Sequence, residues 1–86
     1  MDDLDRYRRD LDKIDKGLLE LLLQRQNIAK KIGNYKKKNK LRVVDKKREK
    51  IVFEKINSYC QEHGLNKNFC KSIFKKIIKN SRNVQK

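Results

Sequence analysis

The sequence predicts an all-α chain, on three observations. Proline is absent and glycine occurs only three times in 86 residues, which removes the punctuation that strands and hairpins require. Apolar residues recur on a helical period through most of the chain, the spacing of amphipathic helices. Hydrophobic residues make up 36% of the chain against 42% charged, enough to stripe one face of each helix and little more. Residues 1–86 are read as one domain, because a chain this short buries too little surface for two cores.

The first element is the longest. Heptads counted from Leu4 place Leu4, Leu11, Leu18, Arg25 and Ile32 on one register and Tyr7, Ile14, Leu21, Ile28 and Tyr35 on its companion. Every member is apolar or aromatic except Arg25. Interrupted only by Gly17 and Gly33, this seam predicts one helix of about thirty residues, roughly 50 Å long. A compact chain of this size has a radius of gyration of only about 12 Å. The helix would therefore project with its apolar stripe uncovered, and the simplest cover is a second copy, giving an intertwined helical homodimer.

Residues 37–44, KKNKLRVV, break the period and predict a connection. Asp45 suits the N-cap of a second helix carrying Ile51, Val52, Ile56, Tyr59 and Cys60 on its stripe. His63-Gly64 ends it, with Gly64 placed for the left-handed position after the last turn. Asn66 caps a third helix with the stripe Phe69, Ile73, Ile77 and Ile78, continued by Ser81, Val84 and Gln85.

Composition removes several function classes. The formal charge of +14 invites a nucleic-acid reading. However, the lysines fall on solvent-facing positions, the aromatics sit at core spacing, and no RNA-recognition signature occurs, so a solvated lysine surface and no specific nucleic-acid partner is the expectation. Cys60, Cys70 and His63 lack metal-ligand spacing, so no metal or other cofactor is expected. Two lone thiols and a first segment without an apolar leader point to a reduced, cytoplasmic protein. No stretch approaches the ~20 apolar residues of a membrane span.

Polar residues that interrupt apolar faces carry the remaining signal. Lys36 lies eleven residues, or three turns, after Arg25 and so on nearly the same face, across Ala29 and Ile32. Gly33 sits beside them, and a mid-helix glycine costs ~1 kcal/mol relative to alanine, a cost that close approach of a ligand or another backbone would explain. Ser81 and Gln85 add hydrogen-bonding groups to the third stripe. Asp45, Arg48 and Glu49 fill the start of the second helix, with Glu49 on the face of Val52 and Ile56. Arg8 flanks the seam near its start. Such a set suits a small dianion bearing a hydroxyl. Each residue also has a plainer account: register fixing for Arg25, capping for Asp45, solvation or fraying for the others.

Taken together, the segments YRRDLDKIDKGLLELLLQR, IGNYK, VVDKKRE and HGLNKNFCKSIFKKIIKNSRNVQ resemble the all-helical (type II) class of chorismate mutase in its single-domain, monofunctional form. The resemblance covers essentially the whole chain. It implies an intertwined dimer with pockets shared between chains and the Claisen rearrangement of chorismate to prephenate, without nucleophile, metal or covalent intermediate. By the same resemblance, Arg25 and a partner chain's Arg8 clamp the two carboxylates, and Lys36 and Gln85 donate to the ether oxygen. Glu49 and the Asp45 backbone hold the ring hydroxyl, Ser81 assists a carboxylate, and Arg48 supports the wall. Arg42 stands in the loop where the family often has proline. Two rivals differ in their predictions: an isochorismate-pyruvate lyase on the same fold, and a basic helical dimer that binds nucleic acid with strong salt dependence.

Overall fold

The computed structural model describes residues 2–86. Three helices follow one another, α1 (Asp3–Lys38), α2 (Lys46–His63) and α3 (Lys67–Gln85). Each starts on the cap its sequence offers. The side chain of Asp2 accepts from the Asp5 N–H at 2.9 Å, that of Asp45 from Arg48 N–H at 3.0 Å, and that of Asn66 from Phe69 N–H at 3.0 Å. These bonds satisfy amide donors that a helix start leaves orphaned. At the far end of α2, Gly64 takes up φ 71° and its N–H returns to the Cys60 carbonyl, the left-handed stop that glycine adopts at little cost.

The end of α1 corrects one expectation. Residues 37 and 38 were expected in the connection but belong to the helix. Lysine is a good helix former, and Lys36, Lys37 and Lys38 in the last turn oppose the negative end of the helix dipole. Termination comes two residues later through a Schellman pair: Leu41 N–H donates to the Lys36 carbonyl at 2.8 Å and Lys40 N–H to the Lys37 carbonyl at 3.3 Å. Lys40 holds the left-handed position at φ 56°, where a side chain is strained and glycine is usual.

Helix α3 packs against both α1 and α2. The buried residues trace that arrangement: Ala29 and Gly33 on α1, Ile56 and Cys60 on α2, Ile78 and Gln85 on α3. Cys60 and Cys70 are free thiols on facing helices. Burial, with the neighbouring Cys70 thiol second, pushes the Cys60 thiol up from its ordinary value.

Little else is covered. Leu4, Leu11, Ile14, Leu18 and Leu21 are 53% to 61% exposed. Tyr59 and Phe69, on the stripes of α2 and α3, also remain exposed. The molecule measures 57 × 26 × 15 Å with a radius of gyration of 16.4 Å. Its accessible surface is 7646 Å², whereas a compact monomer of this mass exposes roughly 5,400 Å². The exposed seam of α1 contributes to the excess, together with the elongated shape.

Gly33 is the tightest point of the fold. A Cβ there would stand 2.7 Å from the Gln85 Cα and 2.9 Å from the Gln85 carbonyl oxygen. Both are backbone atoms of α3, so the expected close approach is that of another backbone. Gly33→Ala should destabilise the protein by about 1–3 kcal/mol through this overlap, despite the ~1 kcal/mol gained in helix propensity. Lys40→Gly should stabilise it by about 1 kcal/mol by relieving the left-handed residue. Chemical denaturation of the two variants checks both signs.

Candidate active site

The crossing of α1 and α3, closed on one side by the start of α2, forms a half-open cavity of about 370 Å³, within the size range of small-ligand sites. Its apolar wall comes from Ile28, Ala29 and Ile32 on α1, Val52 on α2 and Ile78 on α3. Its polar groups are four cations (Arg25, Lys36, Arg48, Arg82), two acids (Asp45, Glu49), and the neutral Ser81 and Gln85. Seven of the eight positions singled out in the sequence therefore meet here. Arg8 does not: it is exposed, seventeen residues before Arg25 and so about 25 Å along the helix.

Three side-chain pairs fix the geometry. Arg25 Nη1 donates to Ser81 Oγ, which in turn donates to the Ile77 carbonyl at 3.1 Å. The hydroxyl thereby anchors the guanidinium to α3 while leaving other N–H groups of its fork unspent. Lys36 Nζ donates to Gln85 Oε1 at 2.8 Å and to the Val43 carbonyl at 2.7 Å. Two of the three ammonium donors are thus used for positioning and one remains; the Gln85 carbonyl is occupied, which leaves its NH₂ as a donor. Lys36 ties α3 and the connecting loop to α1 at the same atom.

The third pair was not foreseen. Arg82 Nε donates to Glu49 Oε2 at 2.9 Å and Arg82 Nη2 donates to Glu49 Oε1, a bidentate fork between α3 and α2. The bond raises the Arg82 guanidinium further above its ordinary value. Arg82 follows Ser81 directly, about 100° round the helix from it, so its place beside the stripe reads as solvent-facing in sequence. The available signal was Glu49 itself: a carboxylate turned toward an apolar face needs a positive partner.

The electrostatic balance favours an anion. The lining cations exceed the lining acids by two charges. Both acids are engaged, Asp45 as the cap of α2 and Glu49 by Arg82. The Arg25 guanidinium is pushed down from its ordinary value by burial and then by the nearby Arg48 charge, the effect of crowding like charges in a partly desolvated place. An incoming dianion relieves that crowding. The cavity thus offers cationic clamps, two adjacent neutral or cationic donors at Lys36 and Gln85, and an apolar wall for a ring.

The family described as chorismate mutase type II matches residues 7–86. A chorismate mutase of Methanocaldococcus jannaschii is 30% identical over 79 residues, 92% of this chain and 80% of that protein. A bifunctional chorismate mutase/prephenate dehydratase of Buchnera aphidicola subsp. Schizaphis graminum is 34% identical over 84 residues, 98% of this chain but only 22% of that protein's length. A 4-amino-4-deoxychorismate mutase of Streptomyces venezuelae is 28% identical over 76 residues, 88% of this chain and 74% of that protein.

Proposed function

The chain belongs to the chorismate mutase type II family, and from that premise we propose that it is an isomerase that rearranges chorismate to prephenate in the α1–α3 cavity. Chorismate is a dianion whose enolpyruvyl ether must fold over the ring before its C–O bond breaks and the new C–C bond forms. No proton has to move in that step. What a protein contributes is a held conformation and charge placed where charge develops.

The observation that carries the reading is the pairing of Lys36 with Gln85 and of Arg25 with Ser81 across one cavity of net positive lining. Arg25 binds a carboxylate through the N–H groups that Ser81 leaves unspent, and Ser81 assists at the ring carboxylate by holding the guanidinium in place. The remaining Lys36 donor and the Gln85 NH₂ serve the ether oxygen, on which negative charge grows as the C–O bond lengthens. Glu49 accepts from the ring hydroxyl, with the Asp45 backbone beside it, and Arg48 completes the wall. Because these donors are already fixed by other bonds, little reorganisation is needed at the transition state.

The reading includes a homodimer. A second copy covers the exposed seam of α1 and brings its own Arg8 to the second carboxylate, so that pockets are shared between chains. The surface in excess of a compact monomer, roughly 2,000 Å², is of the order that obligate dimers bury. Residues 1–86 act as one domain in this account. A cytoplasmic location is supported by the two free thiols; no helix among the described residues is long and apolar enough to cross a membrane.

The test is loss of chorismate absorbance with chromatographic identification of prephenate. The parent protein should form prephenate and Arg25→Ala should not; an inactive, folded parent protein would sink the assignment. Arg25→Lys should lower kcat/KM by at least about a hundredfold while the fold persists, since a point charge cannot reproduce a bidentate fork in a preorganised site. Circular dichroism of the variant checks the second half of that expectation.

A further inference from the structure

The cavity holds two carboxylates, and neither is free. Asp45 Oδ1 accepts from Arg48 N–H at 3.0 Å, and both oxygens of Glu49 lie in the fork of Arg82. The Glu49–Arg82 pair is partly covered, with the two side chains 18% and 31% exposed. A carboxylate held this way keeps lone pairs for one more donor. Its charge, however, is cancelled at a distance of one hydrogen bond. Such a pair offers a neutral hydroxyl a good acceptor and offers a cation almost nothing, because the cation meets the carboxylate and the guanidinium together. Arg25, Lys36 and Arg48 line the same space, so an entering ammonium meets a lining that stays net positive even with the Asp45 carboxylate counted.

We propose that Arg82 is a specificity-determining residue: by pairing with Glu49 it makes the pocket accept a ring hydroxyl and reject an ammonium in the same place. The inference rests on the proposed contact between Glu49 and the ring hydroxyl and extends it from binding to discrimination. Arg82 acts through Glu49, as a positioning residue. Discrimination here is largely repulsive, since the fork both withdraws the carboxylate's charge and places a fixed cation beside the reading point. Removing the guanidinium leaves Glu49 as an unpaired carboxylate, an acceptor that prefers an ammonium to a hydroxyl by charge.

Two substrates and four proteins decide it. Chorismate carries the hydroxyl, and 4-amino-4-deoxychorismate carries an amino group in its place, cationic near neutral pH. kcat/KM is measured for each with the parent protein, Arg82→Gln, Arg82→Leu and Glu49→Gln, with circular dichroism to confirm folding. The parent should prefer chorismate. In Arg82→Gln the preference should fall by at least about tenfold, the size of one modest charge contact, with Arg82→Leu as the second reading should the first variant misfold. Loss of activity toward both substrates in equal proportion would mean a purely structural Arg82 and overturn the proposal. So would a parent that prefers the amino compound. Glu49→Gln separates the two levels of the argument: unchanged chorismate kcat/KM removes the hydroxyl contact itself and takes the proposal with it, whereas a reduced value beside an unchanged preference in the Arg82 variants removes the proposal alone.

Discussion

A helix of 36 residues in a chain of 86 cannot be covered by the remainder of that chain. At 1.5 Å per residue α1 is about 54 Å long, and α2 and α3 are 18 and 19 residues. Only the second half of α1 contributes buried residues, Ala29 and Gly33. Its first half carries Leu4, Leu11, Ile14 and Leu18 into solvent. Burial of such a stripe is worth on the order of 25 cal/mol per Å², and that free energy is available only to association. The proposed dimer is the response to this constraint, and Arg8, stranded far from the cavity of its own chain, acquires a role through it.

Where α1 is covered, the contact that closes the fold is also the one that builds the site. Gly33 lets the α3 backbone come closer than a Cβ would permit. That approach brings Gln85 within 2.8 Å of Lys36 and places Ser81 against Arg25 three turns away. Lys36 then reaches the Val43 carbonyl and fixes the connection into α2, while the Glu49–Arg82 fork binds α2 to α3. Stability and preorganisation are therefore supplied by the same few bonds. Arg25 interrupts the apolar seam where the seam opens into the cavity, and burial, then the nearby Arg48 charge, push its guanidinium down from its ordinary value there.

The helices were legible because their signals are local. Asp45, Gly64 and Asn66 stop and start helices by hydrogen bonds within a few residues, and heptad spacing needs no knowledge of the partner. Arg25, Lys36, Ser81 and Gln85 were legible because each interrupts an apolar face, and the structure brings all four to one cavity. The helix end was read short because a run of lysines carries no stop of its own; the stop lies in backbone bonds to Lys40 and Leu41. Arg82 was missed because its reason for being there is 33 positions away, at Glu49. A residue at the edge of a stripe gives no sign in sequence of what it will reach.

The central claim is that one chain supplies the cavity and a second chain completes it. Mixing an Arg8→Ala chain with an Arg25→Ala chain tests that most directly, with heterodimers confirmed by mass or by differential tagging. Each variant alone lacks one clamp in every pocket. In the mixture, the heterodimer should regain one intact pocket, giving about a quarter of parent activity at random pairing, since half the dimers are mixed and half of their pockets are whole. Confirmed heterodimers that form no more prephenate than the separate variants would contradict the account and return Arg8 to the solvated surface.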